Sequence, residues 1–239
     1  MSKKAESITQ DGIIKVLDKL YESSIQGVPK VSPPISQLAD NYLAKSNSTR
    51  KAAKSFINYQ VAKCTTSGFI TGLGGFLTLP VAIPANVGSV LYVQMRMIAC
   101  IAHMGGYDTN SDQVQTLVYA CLAGISVDQV VKQISIKFGM KFTNSLVKRI
   151  PGKILTKINQ KVGFRFLTKF GTKGIINIGK AIPLIGGAIS GAFDFAETKI
   201  IAARAYKMFI LGDFSASATD SNDTDPIEVG DADFEVKTE

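Results

Sequence analysis

The sequence predicts an all-α protein, and three observations carry that prediction. Apolar residues recur at helical spacing through most of the first 212 residues, the recurring stretches open at Ser or Pro and close at Gly or Pro, and no stretch reads better as a strand than as a helix. A multi-helix bundle of about eight to ten helices follows. With 239 residues, 46% of them hydrophobic, the chain can bury a core without covalent staples. Cys64, Cys100 and Cys121 are odd in number and show no CxxC spacing, so they read as buried reduced thiols, with no structural zinc. The basic N-terminus is followed by no apolar run, and no secretory signal is expected.

The first helix spans Ile8 to Ile25, where Ile13, Ile14, Leu17, Leu20, Tyr21 and Ile25 form one face and Lys15, Asp18, Lys19 and Glu22 the other. Gly27 and Pro29 end it. Ser32-Pro33-Pro34 opens the next, with Ser32 as cap and Ile35, Leu38, Ala39, Tyr42 and Leu43 as its buried stripe. Ser48 caps a third helix that carries Ala52, Ala53, Phe56, Ile57, Val61 and Cys64 into the most apolar part of the chain.

From Cys64 to Tyr107 the only formal charge is Arg96. Two apolar arms flank a bend marked by Pro80 and Pro84, which predicts a central glycine- and proline-rich helical hairpin. The second arm, Ala85 to Met104, is about 30 Å long as a helix and would match a bilayer core; the first falls short. Each glycine inside the first arm costs a helix about 1 kcal/mol relative to alanine. Gly68 and Gly72 allow two backbones to approach closely, in a membrane pair or in a soluble bundle. On the second arm Ser89, Tyr92, Arg96 and His103 share one face, and Gly105-Gly106 stops the helix.

Asn110 or Ser111 caps the next helix, which buries Val114, Leu117, Val118 and Cys121 and is interrupted at Gly124. Ser126 caps a continuation expected to run to Ile150. A basic stride of four follows: Arg149, Lys153, Lys157, Lys161, Arg165, Lys169, Lys173. Pro151-Gly152, Gly163 and Gly171 are expected to break it into short amphipathic pieces. A second apolar segment, Gly174 to Phe193, has Lys180 as its only charge and leads, through a helix start at Pro183, to Leu211 and a stop at Gly212. Beyond it the apolar pattern ends, which divides the chain into one helical domain, 1–212, and a disordered acidic tail, 213–239.

The net charge of +8 is strongly segregated. Gln129 to Phe193 holds twelve Lys or Arg and no acid, whereas Asp213 to Glu239 holds nine acids against Lys237 alone. The basic middle points to a polyanionic partner, and the tail could fold over it and compete. Nucleic acid is disfavoured: there is no Trp and no helix-turn-helix, and Phe164, Phe166 and Phe170 read as an apolar face rather than stacking platforms.

The residues Gly68-Phe-Ile-Thr-Gly-Leu-Gly-Gly-Phe-Leu-Thr-Leu-Pro80, Ile83-Pro84, Gln94-Met-Arg-Met-Ile98, Ala102-His-Met-Gly-Gly-Tyr-Asp108 and Ile182-Pro-Leu-Ile-Gly-Gly-Ala-Ile-Ser-Gly191 resemble the bacterial EcsC protein family, over roughly Ile35 to Leu211. The glycine-rich block leading to Pro80 and Pro84 is the specific part. The family takes its name from a gene beside an ABC-transporter pair and has no settled activity or catalytic residues. The resemblance therefore implies a bacterial, membrane-linked protein and assigns no functional residue.

Two functions are expected from the residues. The first is an accessory protein, not a catalyst, that is cytoplasmic and peripheral to the inner face of the cell membrane. Anionic lipid would be its partner, and the resemblance to the EcsC family implies an ABC transporter or other membrane protein as a further one. Phe69, Ile70, Phe76 and Leu77 of the hairpin and Lys153, Lys157, Lys161 and Arg165 of the basic pieces are its membrane-facing candidates. Full spanning is opposed by Arg96 near the middle of the second arm. The alternative is a soluble enzyme or ligand-binding protein whose pocket is built from Arg96, His103, Asp194 and Glu197, charged or titratable groups in apolar surroundings that need partners. A structural pair such as Arg96 with Asp194 is the plainer form of that reading. A single His without clustered Cys gives no metal-ligand set, no P-loop lysine follows Gly74-Gly75, and no G-x-S-x-G is present, so no metal, cofactor or catalytic residue is assigned.

Overall fold

The computed structural model of the protein describes residues 9–29, 32–64, 85–132, 143–170 and 188–215. Among these it contains nine α-helices and no strand, the Val28–Ser32 bridge being isolated. In chain order they are α1 (Gln10–Gln26), α2 (Ile35–Ala44), α3 (Thr49–Cys64), α4 (Ala85–Met104), α5 (Asp112–Ala123), α6 (Val127–Lys132), α7 (Asn144–Val147), α8 (Gly152–Phe170) and α9 (Ala188–Leu211). The fold class expected from periodicity is the one observed.

α1 begins where Thr9 accepts the Gly12 N–H on Oγ1 at 3.1 Å, and it buries Ile13, Val16, Leu17, Leu20 and Tyr21. It ends at Gly27, whose φ of 77° is left-handed; a Cβ there would lie 2.3 Å from the Ser32 carbonyl oxygen, so the turn requires glycine. Ser32 does not cap α2 as its position suggests. Pro34 holds the N-cap position instead, and a cap oxygen bonds the second or third helical N–H, here Ser36 or Gln37, four and five residues beyond Ser32. Ser32 Oγ instead accepts the Val28 N–H at 3.1 Å and pairs with the Tyr92 hydroxyl at 3.0 Å, pinning the turn to α4. Ser48 caps α3 as expected, accepting the Lys51 N–H at 3.3 Å.

α4 is the centre of the bundle and touches α1, α2, α3, α5 and α9. Every residue from Leu91 to Ala102 is buried, which is what a helix apolar on all sides demands. The second arm of the predicted hairpin is therefore core. No helix among the described residues is long and apolar enough to cross a membrane. The first arm and the bend, with Phe69, Ile70, Phe76 and Leu77, lie outside the described residues. Gly105-Gly106 ends α4 as predicted, and the close approach is specific: a Cβ on Gly105 would lie 2.3 Å from the Phe209 carbonyl oxygen of α9.

Ser111 caps α5, Gly124 ends it at a left-handed φ of 66°, and Ser126 caps α6 through the Gln129 N–H at 3.3 Å. The continuation does not reach Ile150 unbroken. Thr143 takes an extended backbone (φ −93°, ψ 161°) that opens the short α7. Pro151 then separates α7 from α8, but Gly163 causes no break: α8 runs through it for 19 residues. Packing outweighs the local glycine penalty, because Ile154, Ile158, Val162 and Phe166 are buried and α8 lies on α1, α5 and α6. α9 stops at Leu211 before Gly212, φ 73°. The core continues two residues past that stop, where Phe214 is buried edge-on to Phe209 and its carbonyl accepts the Asp128 N–H at 3.2 Å.

Candidate functional site

Three polar features stand out against this apolar framework. The first is the line drawn down α4. Tyr92, Arg96 and His103 share the face turned toward the α1–α2 turn and α2. Arg96 is buried and donates from Nη1 to the Ser24 carbonyl at 2.8 Å and from Nη2 to the Pro33 carbonyl. Ser24 belongs to the last turn of α1, where carbonyls lack helical partners and a positive charge is favoured. Burial lowers the Arg96 pKa from its ordinary value, opposed by the neighbouring Tyr92 and Cys100, and a guanidinium stays charged. His103 Nε2 lies 3.9 Å from Asp40 Oδ1 on α2, with Asp40 largely exposed. Between them the Cys100 thiol is pushed up to about 12 by burial, which makes it an inert core residue rather than a nucleophile.

The second is the outer face of α8. Lys153, Lys157, Lys161 and Arg165 are exposed along it, in the company of Thr156, Gln160, Phe164 and Thr168. A stride of four drifts by about 40° a step, so the four cations form one gently winding strip across about 120° of the helix. No acid lies anywhere on α8, and Phe164, 59% exposed, is the most open large apolar side chain among the described residues.

The third is a cavity of about 160 Å³ at the C-terminal end of α5, with α8 on one side and α9 on the other. Arg165, Glu197 and Arg204 supply its charge; Leu122, Phe166, Ile200 and Ile201 supply apolar wall. Arg204 is buried and donates from Nη1 to the Cys121 carbonyl at 2.7 Å, and Arg165 donates from Nη1 to the Gly124 carbonyl at 3.2 Å. Both arginines thus dress the carbonyl end of α5. Burial pushes the adjacent Cys121 thiol up to about 12, opposed by Arg204.

Of the four residues read from sequence as one pocket, Arg96 and His103 lie on α4 and Asp194 and Glu197 on α9. Arg96 and His103 face α1 and α2. Gln94, about 200° around α4 from Arg96, donates to Thr198 Oγ1 of α9 at 3.3 Å, so α9 packs on the side of α4 away from Arg96 and His103. Asp194 lies in α9, with its side chain outside the described residues. Of the four, Glu197 lines the cavity, and its companion there, Arg204, is a residue that sequence reasoning passed over. A signal existed: Glu197 and Arg204 are seven apart and share a helix face. Among the described residues no group of three His, Cys, Asp or Glu could hold a metal.

Among the described residues, fold and surfaces together define a helical bundle built round a buried central helix, with a basic outer helix and a small polar cavity. The chain belongs to the EcsC protein family, whose family model matches residues 1–211 and so ends where α9 ends. No curated protein and no solved structure matches the chain.

Proposed function

We propose that the protein is a membrane-associated accessory protein, not a catalyst, held on an anionic bilayer by the outer face of α8. The observation that carries this reading is the acid-free strip Lys153, Lys157, Lys161 and Arg165 with the exposed Phe164 beside it. Each cation near an anionic surface contributes about 1 kcal/mol, so four give about 4 kcal/mol, roughly a thousandfold preference over neutral lipid at low salt. Phe164 adds apolar contact at the acyl boundary. The burial of α4 moves the docking role from the hairpin's second arm to α8. The anionic cytoplasmic leaflet is the surface that matches this charge, which supports a position on the inner face of the cell membrane; an ABC transporter or other membrane protein is the further partner proposed.

Flotation of the full chain with phosphatidylglycerol vesicles and with neutral phosphatidylcholine vesicles tests the reading. Binding to the anionic vesicles is expected at low salt and is lost at high salt. The triple change Lys153→Glu, Lys157→Glu, Lys161→Glu should abolish it without altering helix content. Failure of the wild-type chain to float with anionic vesicles overturns the proposal. The cavity at the end of α5 favours the second reading, a soluble ligand-binding protein, and predicts ligand uptake without vesicles.

A further inference from the structure

We infer that the outer face of α3 is a second surface for anionic lipid, set on the opposite side of the bundle from α8, so that one chain can hold two bilayers together. The sequence of α3 holds four Lys or Arg and no acid. Arg50, Lys51 and Lys54 are exposed within about 100° of the helix surface, and Tyr59, two turns beyond Lys51, is 45% exposed. Phe164 of α8 and Tyr59 of α3 are the two most open large apolar side chains among the described residues. Each cationic helix thus also carries an aromatic of the kind that settles at a membrane–water boundary. On neighbouring α2 the exposed Lys45 and Asp40 offset one another. Arg50 and Lys51 fall in the first turn of α3, where the helix dipole favours acids and cations cost stability. Helix formation therefore does not account for them, and attraction to an anion outside the bundle does.

The packing order puts α3 and α8 on opposite sides. Around α4 its neighbours run α1, α2, α3, α9 and α5, each touching the next, and α5 returns to α1 where Gln115 and Tyr119 both donate to Asp18 at 2.8 Å. α3 stands between α2 and α9, across α4 from the seam of α1 and α5, and α8 lies on that seam, touching both helices. Three packing steps, α3 to α4 to α1 to α8, at about 8–10 Å each put the two outer axes within about 30 Å of one another. Each helix turns its buried face to the bundle and its cations outward, so the two charged faces look away from each other and cannot meet one flat bilayer together.

This inference rests on the α8 reading for how the first bilayer is held, but the α3 face can be tested without it. Each cation near an anionic surface is worth about fivefold, so three give roughly a hundredfold. That is weaker than α8, and flotation of single chains reports α8, whereas a coated vesicle presents many α3 faces at once and retains a second vesicle by multivalency. In the experiment, phosphatidylglycerol vesicles are coated with the full chain, washed, and offered bare fluorescent vesicles of phosphatidylglycerol or of phosphatidylcholine at low salt. The bare phosphatidylglycerol vesicles should be retained and the phosphatidylcholine vesicles should not. The triple change Arg50→Gln, Lys51→Gln, Lys54→Gln should float as wild type does yet retain at least about tenfold fewer. All three side chains are exposed, and removing cations from the first turn relieves the dipole, so Tm should not fall.

No retention of bare phosphatidylglycerol vesicles, or retention unmoved by the α3 change, overturns the inference. Retention only when the second vesicles are coated too means contact between copies of the chain and also overturns it. If the chain floats but retains nothing, the α3 inference falls and docking through α8 stands. For the reverse case, the full chain carrying Lys153→Glu, Lys157→Glu and Lys161→Glu is attached to phosphatidylcholine vesicles through a terminal hexahistidine and a nickel-chelating lipid. If these retain bare phosphatidylglycerol vesicles, lose them on the α3 change, and the wild-type chain has failed to float, the α8 reading falls and the α3 surface stands.

Discussion

Replacing Arg96 by methionine keeps the apolar stem and removes the two donors that hold the α1–α2 turn. The guanidinium is buried and serves two carbonyls, Ser24 at the end of α1 and Pro33 before α2. A hydrogen bond from a charged donor is worth about 1.5–3 kcal/mol, and the two acceptors would be left without it in a dry setting, which gives an expected loss of about 3–5 kcal/mol. Against a total stability of about 5–15 kcal/mol this is a fifth or more. At about 2–4 °C per kcal/mol for a domain of this size, Tm should fall by roughly 6–20 °C. Urea unfolding followed by circular dichroism should give a lower midpoint at unchanged slope, since the area exposed on unfolding is the same. Arg96→Lys should fall between, because one ammonium on a shorter stem cannot span both carbonyls. His103→Gln is the control: its partner Asp40 is 71% exposed at 3.9 Å, and an exposed pair of that kind is worth little. If Arg96→Met unfolds within about 1 kcal/mol of wild type, the guanidinium is not a structural clasp and this account of the α4 seam is wrong.

Three further predictions use different parts of the bundle. Gly163→Ala should stabilise by up to about 1 kcal/mol, because its Cβ would meet Gln10 at an ordinary 3.4 Å, whereas Gly105→Ala should destabilise strongly through its 2.3 Å approach to Phe209; paired thermal melts check the opposite signs. Phe214→Ala should cost about 3–5 kcal/mol in the same assay, since the side chain is buried against Phe209 beyond the last helix. Under reducing conditions stability should fall as pH rises from about 9 toward about 12, because the folded state keeps Cys100 and Cys121, and above about pH 10 Tyr21, Tyr42 and Tyr119, protonated where the unfolded chain releases their protons. Each thiol contributes about 1 kcal/mol over the first pH unit, and Cys121→Ala should flatten the alkaline slope of Tm; an unchanged slope would refute the assignment.

Local chemistry explains which parts of this architecture could be read from the chain. The Ser48, Ser111 and Ser126 caps and the stops at Gly27, Gly106, Gly124 and Gly212 depend on a few neighbouring residues, and sequence reasoning found them. Ser32 and Gly163 were misread because their roles are tertiary. Ser32 is drawn to Tyr92, 60 residues away, and Gly163 stays helical because α1 lies against it. The basic stride on α8 was legible as a pattern, but its continuity was not, since packing of Ile158, Val162 and Phe166 overrides the glycine. The cavity was half legible: Glu197 stood out for its apolar surroundings, while Arg204 needed α5 to be placed beside it.

The arginines of this bundle show that a cation in apolar surroundings does not require an acidic partner. A buried guanidinium needs acceptors, and a carboxylate is only one source of them. Arg96 uses the last turn of α1, and Arg165 and Arg204 use the carbonyl end of α5, so three arginines answer carbonyls at helix C-termini. The two ends then differ in what surrounds them. At α1 the guanidinium is enclosed by α2 and the Gly27 turn, and Arg96 is occupied in closing the fold. At α5 the same device opens on a cavity that holds Glu197 and reaches solvent beside Ile200, at the end of a basic strip on α8. One repeated solution to an electrostatic problem thus yields a clasp in the first place and a surface able to receive a ligand in the second.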